Sequence, residues 1–252
     1  MIKYKIAFCI TFFLSMVATS QTLLLLTETN GWNHKTKEAS LELFTALANE
    51  NQYQLQHTDS SETNITKANL KKVAILILAN TTANIFTQKE ENLVQNFVEN
   101  GGAIFGIHAA SDTEYDWLWY QNAISAHFTT HAPDGERSGR IIIEDRSHPA
   151  VKVFSDTNNI TEEWYSFNQS PRDKVTVLAS VVENSYLSSP DEMGLFDKKM
   201  AMGDHPIIWH KKVGKGIVYY TALGHNPDNY LKPYFKNHIL ASLNWIIAEQ
   251  NK

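Results

Sequence analysis

Apolar positions along the chain follow two rhythms. "TLLLLTE" (Thr22 to Glu28), "VAILILA" (Val73 to Ala79) and "AIFGI" (Ala103 to Ile107) are continuous apolar runs, the pattern of strands buried on both faces of a parallel sheet. Between them the period lengthens. Ala39, Leu43, Ala46 and Leu47 fall on one side of a helix. "TQKEENLVQNFVENGG" predicts a second helix, with Thr87 and Glu90 spaced as a capping box and Gly101 and Gly102 ending it. "YQLQHT" supplies another strand. Strand and helix therefore alternate at the spacing of right-handed βαβ units, which predicts a parallel sheet covered by helices on both faces.

The second half is richer in strands: "GRIIIED", "ITEEWYSF", "KVTVLASVV", "PIIWHKK" and "KGIVYYTAL". Phe235, Ile239, Leu243 and Ile246 then recur at helical spacing, so a C-terminal helix closes the domain. No repeat, low-complexity tract or long linker divides the chain. The longest irregular stretch, Ser185 to Gly203, reads as a surface loop or lid beside a site.

The N-terminus breaks this pattern. Lys3 and Lys5 precede an apolar run of 13 residues from Ile6 to Ala18, followed by the small residues Ala18, Thr19 and Ser20. That is the layout of a secretory signal peptide, too short to cross a membrane easily and lacking a basic stop-transfer flank. The expected organisation is a signal peptide over 1–20, cleaved before Gln21, and one domain over 21–252, exported and periplasmic or secreted, with no stable membrane insertion after cleavage. The only cysteine, Cys9, lies inside the leader, so the mature chain has no disulfide, thiolate nucleophile or cysteine metal site.

Composition narrows the partner. With 43% hydrophobic and 19% charged residues the chain can bury a sizeable core. Without Lys3 and Lys5 it carries 20 basic against 27 acidic side chains, a formal charge of −7 that repels a nucleic-acid backbone. A neutral or modestly polar small molecule fits better.

In open parallel sheets, ligands sit outside the carboxyl ends of the strands. His108 stands at such an end, and His34, in "TETNGWNHK", lies in the loop after the first strand. After His108, "AASDTEYDWLWY" brings Asp112, Glu114 and Asp116 together with Trp117, Trp119 and Tyr120. Carboxylate acceptors beside flat aromatic faces suit a sugar. The plainer alternative is that Ser111 or Asp112 caps a helix whose first turn holds Glu114. In "HFTTH", His127 and His131 are four apart, but Thr129 and Thr130 favour an extended segment, on which that spacing does not bring side chains together. Alternation along "TEEWYSF" turns Glu163 and Tyr165 to one face and Glu162 and Trp164 to the other. Asp204 and His205 precede a strand start at Pro206, and His225 follows a strand end and Gly224.

Two chemistries fit histidines and acids gathered at strand ends: general acid/base catalysis, or ligation of a divalent metal. No HExxH is present, no HxxxH lies on a clear helix, and "HAASD" lacks the G-x-S-x-G elbow of a serine hydrolase. Metal ligands are left unassigned.

"GAIFGIHAASDTEYDWLWY", "ITEEWYSF", "DHPIIWH" and "YYTALGHNPDNYLKPYFKNHILASLNWI", in this order and with "TNGWNH" before them, resemble the ThuA-like (trehalose utilisation) family over about Thr22 to Ile247. The resemblance implies an α/β three-layer sandwich with a mainly parallel sheet, flavodoxin-like and of the class I glutamine-amidotransferase-like type. In amidotransferases of that fold a cysteine occupies the turn after the strand matching "AIFGI". His108 or its neighbour stands there here, which excludes glutaminase chemistry.

The resemblance also implies catabolism of trehalose and related disaccharides, often beside oxidoreductases that make 3-keto glycosides. The expected function is acid/base lyase or hydrolase chemistry on a glycoside or a 3-keto glycoside. His108 is the expected base, and Glu163 or Asp112 the acid. His34, Glu114, Trp117, His131, Tyr165, Asp204, His205 and His225 form the expected substrate wall. The alternative is a non-catalytic sugar-binding protein with Trp117, Trp164 and Trp209 as stacking platforms.

Overall fold

The computed structural model describes residues 20–154, 159–187 and 200–252. Residues 1–19 of the expected leader, and most of the lid segment expected over Ser185 to Gly203, lie outside the described residues. The first half alternates as its apolar rhythm requires: β1 (Thr22–Leu26), α1 (Lys37–Asn51), β2 (Gln54–Thr58), the single turns α2 (Ser61–Asn64) and α3 (Lys67–Leu70), β3 (Val73–Ala79), α4 (Gln88–Glu99) and β4 (Ala103–Ile107). Both arms of the capping box at α4 form. Glu90 N–H donates to Thr87 Oγ1 (3.4 Å) and Thr87 N–H to the Glu90 carboxylate (2.8 Å).

The chain continues through a 3-10 turn (His108–Asp112), α5 (Leu118–Ile124), β5 (Phe128–Thr130), β6 (Arg137–Ile143), β7 (Asn159–Glu162), β8 (Ser166–Phe167), β9 (Thr176–Val182), β10 (Pro206–Val213), β11 (Gly216–Thr221) and α6 (Pro233–Gln250). One nine-stranded sheet runs β2-β1-β3-β4-β11-β10-β9-β6-β7. Its first five strands are parallel, in a flavodoxin-like order, and the four from β10 to β7 continue it antiparallel. The small β5-β8 ribbon lies outside it.

Helices cover both faces. Gly106 lies against Ile124 of α5, whereas Ile107, one residue on and therefore on the other face, lies against Gly224, which also meets Phe235 of α6. Trp119 of α5 donates to Glu99 of α4 (2.9 Å), and Lys236 of α6 pairs with Glu50 of α1 (2.7 Å). The layers are thus α4 and α5 on one side and α1 and α6 on the other. The core between them contains Leu23 to Leu26, Ile75 to Ala79, Phe105, Tyr219 and Tyr220, all fully buried. No helix among the described residues is long and apolar enough to cross a membrane.

Candidate functional site

Three loops leaving the carboxyl ends of parallel strands converge on one point. After β1 the chain carries His34, whose backbone N–H donates to Asn80 Oδ1 in the loop after β3 (2.9 Å). After β4 comes His108, a non-glycine residue at φ +44°, a left-handed conformation that costs about 1–2 kcal/mol. Its surroundings hold it there: the Tyr220 hydroxyl donates to the His108 carbonyl (2.9 Å), and His108 Nδ1–H donates to the Ala222 carbonyl (2.9 Å). After β11 comes His225, reached through Gly224 at φ +114°, where a Cβ would stand 2.7 Å from Ile107.

Glu162 fixes that last loop. It is fully buried and accepts from Gly224 N–H (2.9 Å), His225 N–H (3.1 Å) and Asn229 Nδ2 (2.7 Å). Burial pushes its carboxyl up to about 7 against the pull of those donors. The next residue but two, Tyr165, turns the other way, as does Glu163. Glu163 Oε2 lies 3.1 Å from His225 Nδ1 and 3.5 Å from His108 Nε2, and these two nitrogens are 3.3 Å apart. His34 stacks edge-on to both rings, with centroids 5.1 and 5.3 Å away, and its Nε2 shares a hydrogen bond with the Tyr165 hydroxyl (2.8 Å). One ligand atom from each of His34, His108, Glu163 and His225 falls within 4.8 Å of the others, a donor set able to hold a metal ion.

The electrostatics divide the cluster. Burial lowers His34 to about 3, helped by His108 and His225, and burial also lowers His108. Burial alone would raise the Glu163 carboxyl, but its bonds to His108 and His225 outweigh that and hold it well below the usual carboxylate range. His225 is raised, since Glu163 overcomes the burial that opposes its charge. Glu163 is therefore an anion among imidazoles.

His34, Glu163 and His225 of the cluster line a cavity of about 550 Å³, walled by Trp32, Phe128, Tyr165, Asp112 and His131 as well. His131 arrives on the β5-β8 ribbon. Its Nδ1–H donates to the Ala132 carbonyl (2.7 Å) and lies 3.4 Å from Glu163 Oε1, so in the neutral ring Nε2 is the nitrogen with the lone pair. Asp112 accepts from the Tyr115 hydroxyl, and burial pushes its carboxyl up.

Four of the residues read from the sequence lie elsewhere. Glu114 is buried, accepts the backbone N–H groups of Ile85 (2.7 Å) and Phe86 (2.9 Å), and braces a loop. Trp117 packs among Phe86, Trp119 and Tyr120. Asp204 belongs to an ion network with Arg172 (2.6 Å), which also holds Glu144 (2.7 Å). His205 stands behind the cavity wall, donating through Nε2 to the Tyr165 carbonyl (2.9 Å) and meeting Glu183 (3.1 Å). Nor do Ser111 or Asp112 cap a helix: α5 begins at Leu118, after Trp117, with no side-chain cap. Trp117, Trp164 and Trp209 are 8%, 1% and 0% exposed, so none offers a face to a ligand, whereas Trp32, at the cavity lip, is 72% exposed. Sequence reasoning missed Glu136, which lies 3.6 Å from His225 Nε2 and accepts from Asn226 (2.7 Å). Nothing in the polar run "APDGERSG" distinguishes it from an ordinary loop acid.

Residues 22–246 match the family model described as ThuA, trehalose utilisation. The chain belongs to the ThuA family. Among curated proteins, no sequence matches it. A ThuA-like protein from Bacteroides uniformis is similar over 90% of this chain and 91% of its own, with 20% identity and a TM-score of 0.74. One from Parabacteroides merdae is similar over 90% of each, with 14% identity and a TM-score of 0.69. A β-galactosidase from Rahnella sp. R3 matches 90% of this chain with 31% of its length, at 10% identity and a TM-score of 0.55. At these identities the likeness shows a shared fold, the class I glutamine-amidotransferase-like α/β sheet. Membership links this ThuA chain to carbohydrate utilisation.

Proposed function

We propose that this ThuA protein is an exported enzyme of carbohydrate breakdown, acting on a glycoside or its 3-keto derivative. The observation that carries the reading is the convergence of His34, His131, His225, Asp112 and Glu163 on one cavity of about 550 Å³, with His108 against Glu163 and His225 behind it. Cavities of roughly 300–1,000 Å³ hold small molecules. Burying so many titratable groups costs desolvation that a neutral sugar does not need for binding alone, and such groups gather where protons move. Trp117, Trp164 and Trp209, the stacking platforms expected of a purely sugar-binding site, are buried, and the aromatic faces at this cavity are those of Trp32, Phe128 and Tyr165. Export is supported by the leader-like residues 1–20.

The roles follow from access. His108 is 2% exposed and closed in by Glu163 and His225, and Glu163 is held ionised, which leaves both poorly placed to carry protons to substrate. His131 and Asp112 line the cavity and are half-buried. The Ala132 carbonyl and Glu163 orient His131 so that Nε2 accepts a proton, while burial keeps Asp112 inclined to hold one. In a 3-keto glycoside the carbonyl acidifies the C2 proton. His131 takes it, the C1–C2 double bond forms as the C1–O bond breaks, and Asp112 protonates the departing oxygen.

The test is to incubate the purified protein with 3-keto and unoxidised glycosides and follow both by NMR. Glycoside consumption is expected, falling by about 10²-fold or more in His131→Ala and Asp112→Asn. Unchanged substrates with wild type, or full activity in both variants, would overturn the reading.

A further inference from the structure

The inner cluster has a geometry that proton transfer does not require. Zinc–nitrogen bonds of about 2.1 Å place the donors of a tetrahedral site about 3.4 Å apart. The separations among Glu163 Oε2, His225 Nδ1 and His108 Nε2 are 3.1, 3.3 and 3.5 Å. Three donor atoms from three separate segments of chain thus form a triangle of the size one metal ion sets. His34 adds a fourth donor within 4.8 Å.

The atoms behind these donors point the same way. Ligating histidines hold the far ring nitrogen on a carbonyl, a carboxylate or another acceptor, which fixes the tautomer and presents the lone pair inward. His108 does this through Nδ1 on the Ala222 carbonyl, and the Glu136 carboxylate stands 3.6 Å from His225 Nε2. His34 is 7% exposed, has Nε2 on the Tyr165 hydroxyl, and keeps Nδ1 buried with no hydrogen-bond partner. A buried polar atom without a partner is costly, and a bound ion would satisfy this one. Glu162 reinforces the arrangement from outside by pinning the His225 backbone.

We infer that His34, His108, Glu163 and His225 form a centre for one divalent transition-metal ion of the zinc class. Three imidazoles and one carboxylate, with no thiolate, suit such an ion and not calcium or magnesium, which take all-oxygen sets. One carboxylate charge against the two of the ion leaves the centre positive, next to a cavity that admits a polar molecule. A bound ion supplies Lewis acidity to a carbonyl or hydroxyl oxygen there. Glu163 Oε1 stays on His131, so the carboxylate joins the centre to the base proposed above. The inference goes beyond that reaction, because metal occupancy is read without any substrate.

Untagged protein is stripped with chelator, loaded with Zn²⁺, freed of unbound ion and analysed by mass spectrometry for metal and protein. About one ion per chain is expected in wild type and in a His57→Gln control, and about a tenth of that or less in the His225→Ala, Glu163→Ala double variant. Wild type without stoichiometric zinc, or a folded double variant that binds as wild type does, would overturn the inference. If the double variant does not fold, Co²⁺-loaded wild type decides: intense visible ligand-field bands that Zn²⁺ displaces support the centre, and their absence refutes it.

Discussion

Ten histidines lie in the chain, and what their rings touch separates those at the cavity from those that only pack. His238 is of the second kind. It is fully buried on α6, with Nδ1 on the Ala150 carbonyl (2.8 Å) and Nε2 near Thr221 (3.2 Å), and burial lowers it from 6.5 to about 4. The unfolded chain then binds the extra proton between those values, so this contribution is present above pH 6.5 and is lost as pH falls toward 4. On the order of 3 kcal/mol is at stake. His238→Gln should flatten the dependence of unfolding free energy on pH over that window, measured by urea titration at several pH values, and an unchanged slope would count against it. At this scale the sequence is partly legible. Strand ends mark His34, His108 and His225, because a parallel sheet sends its loops to one edge. Alternation separates Glu163 and Tyr165 from Glu162 and Trp164. Exposure is harder to read: Trp117 and Glu114 have site-like residue types, and only tertiary packing shows the first in the core and the second on the Ile85 and Phe86 amides.

Elements assemble this edge through close backbone approaches. β11 begins at Gly216, where a Cβ would stand 2.1 Å from the Val98 carbonyl and 2.2 Å from that of Gly102. Those are backbone atoms at the end of α4 and the turn after it, so neither can rotate away. Gly216→Ala should therefore cost about 3 kcal/mol by overpacking, seen as a lowered denaturation midpoint, and a wild-type midpoint would show that α4 is free to shift. The strong local signals, the apolar runs of β1, β3 and β4 and the capping box of α4, are readable because they depend on near neighbours alone. The β5-β8 ribbon is not. β8 has only two residues, and the pairing that carries His131 over the edge joins segments far apart in sequence.

Across the whole molecule, the order β2-β1-β3-β4-β11 sets β1, β3, β4 and β11 side by side with their carboxyl ends on one edge. A mainly parallel sheet could be read from the sequence, whereas the order of its antiparallel half could not, since alternation does not say which strand pairs with which. The proposed sugar site lies at this edge, with its histidines and Glu163. Side-chain NMR of the ten histidines tests it most directly, during titration with a 3-keto glycoside and, separately, its unoxidised parent. His34, His108, His131 and His225 should shift together and saturably while His57, His148, His210 and His238 stay in place. Saturable binding that moves only the second group, or no shift with either sugar, would contradict it.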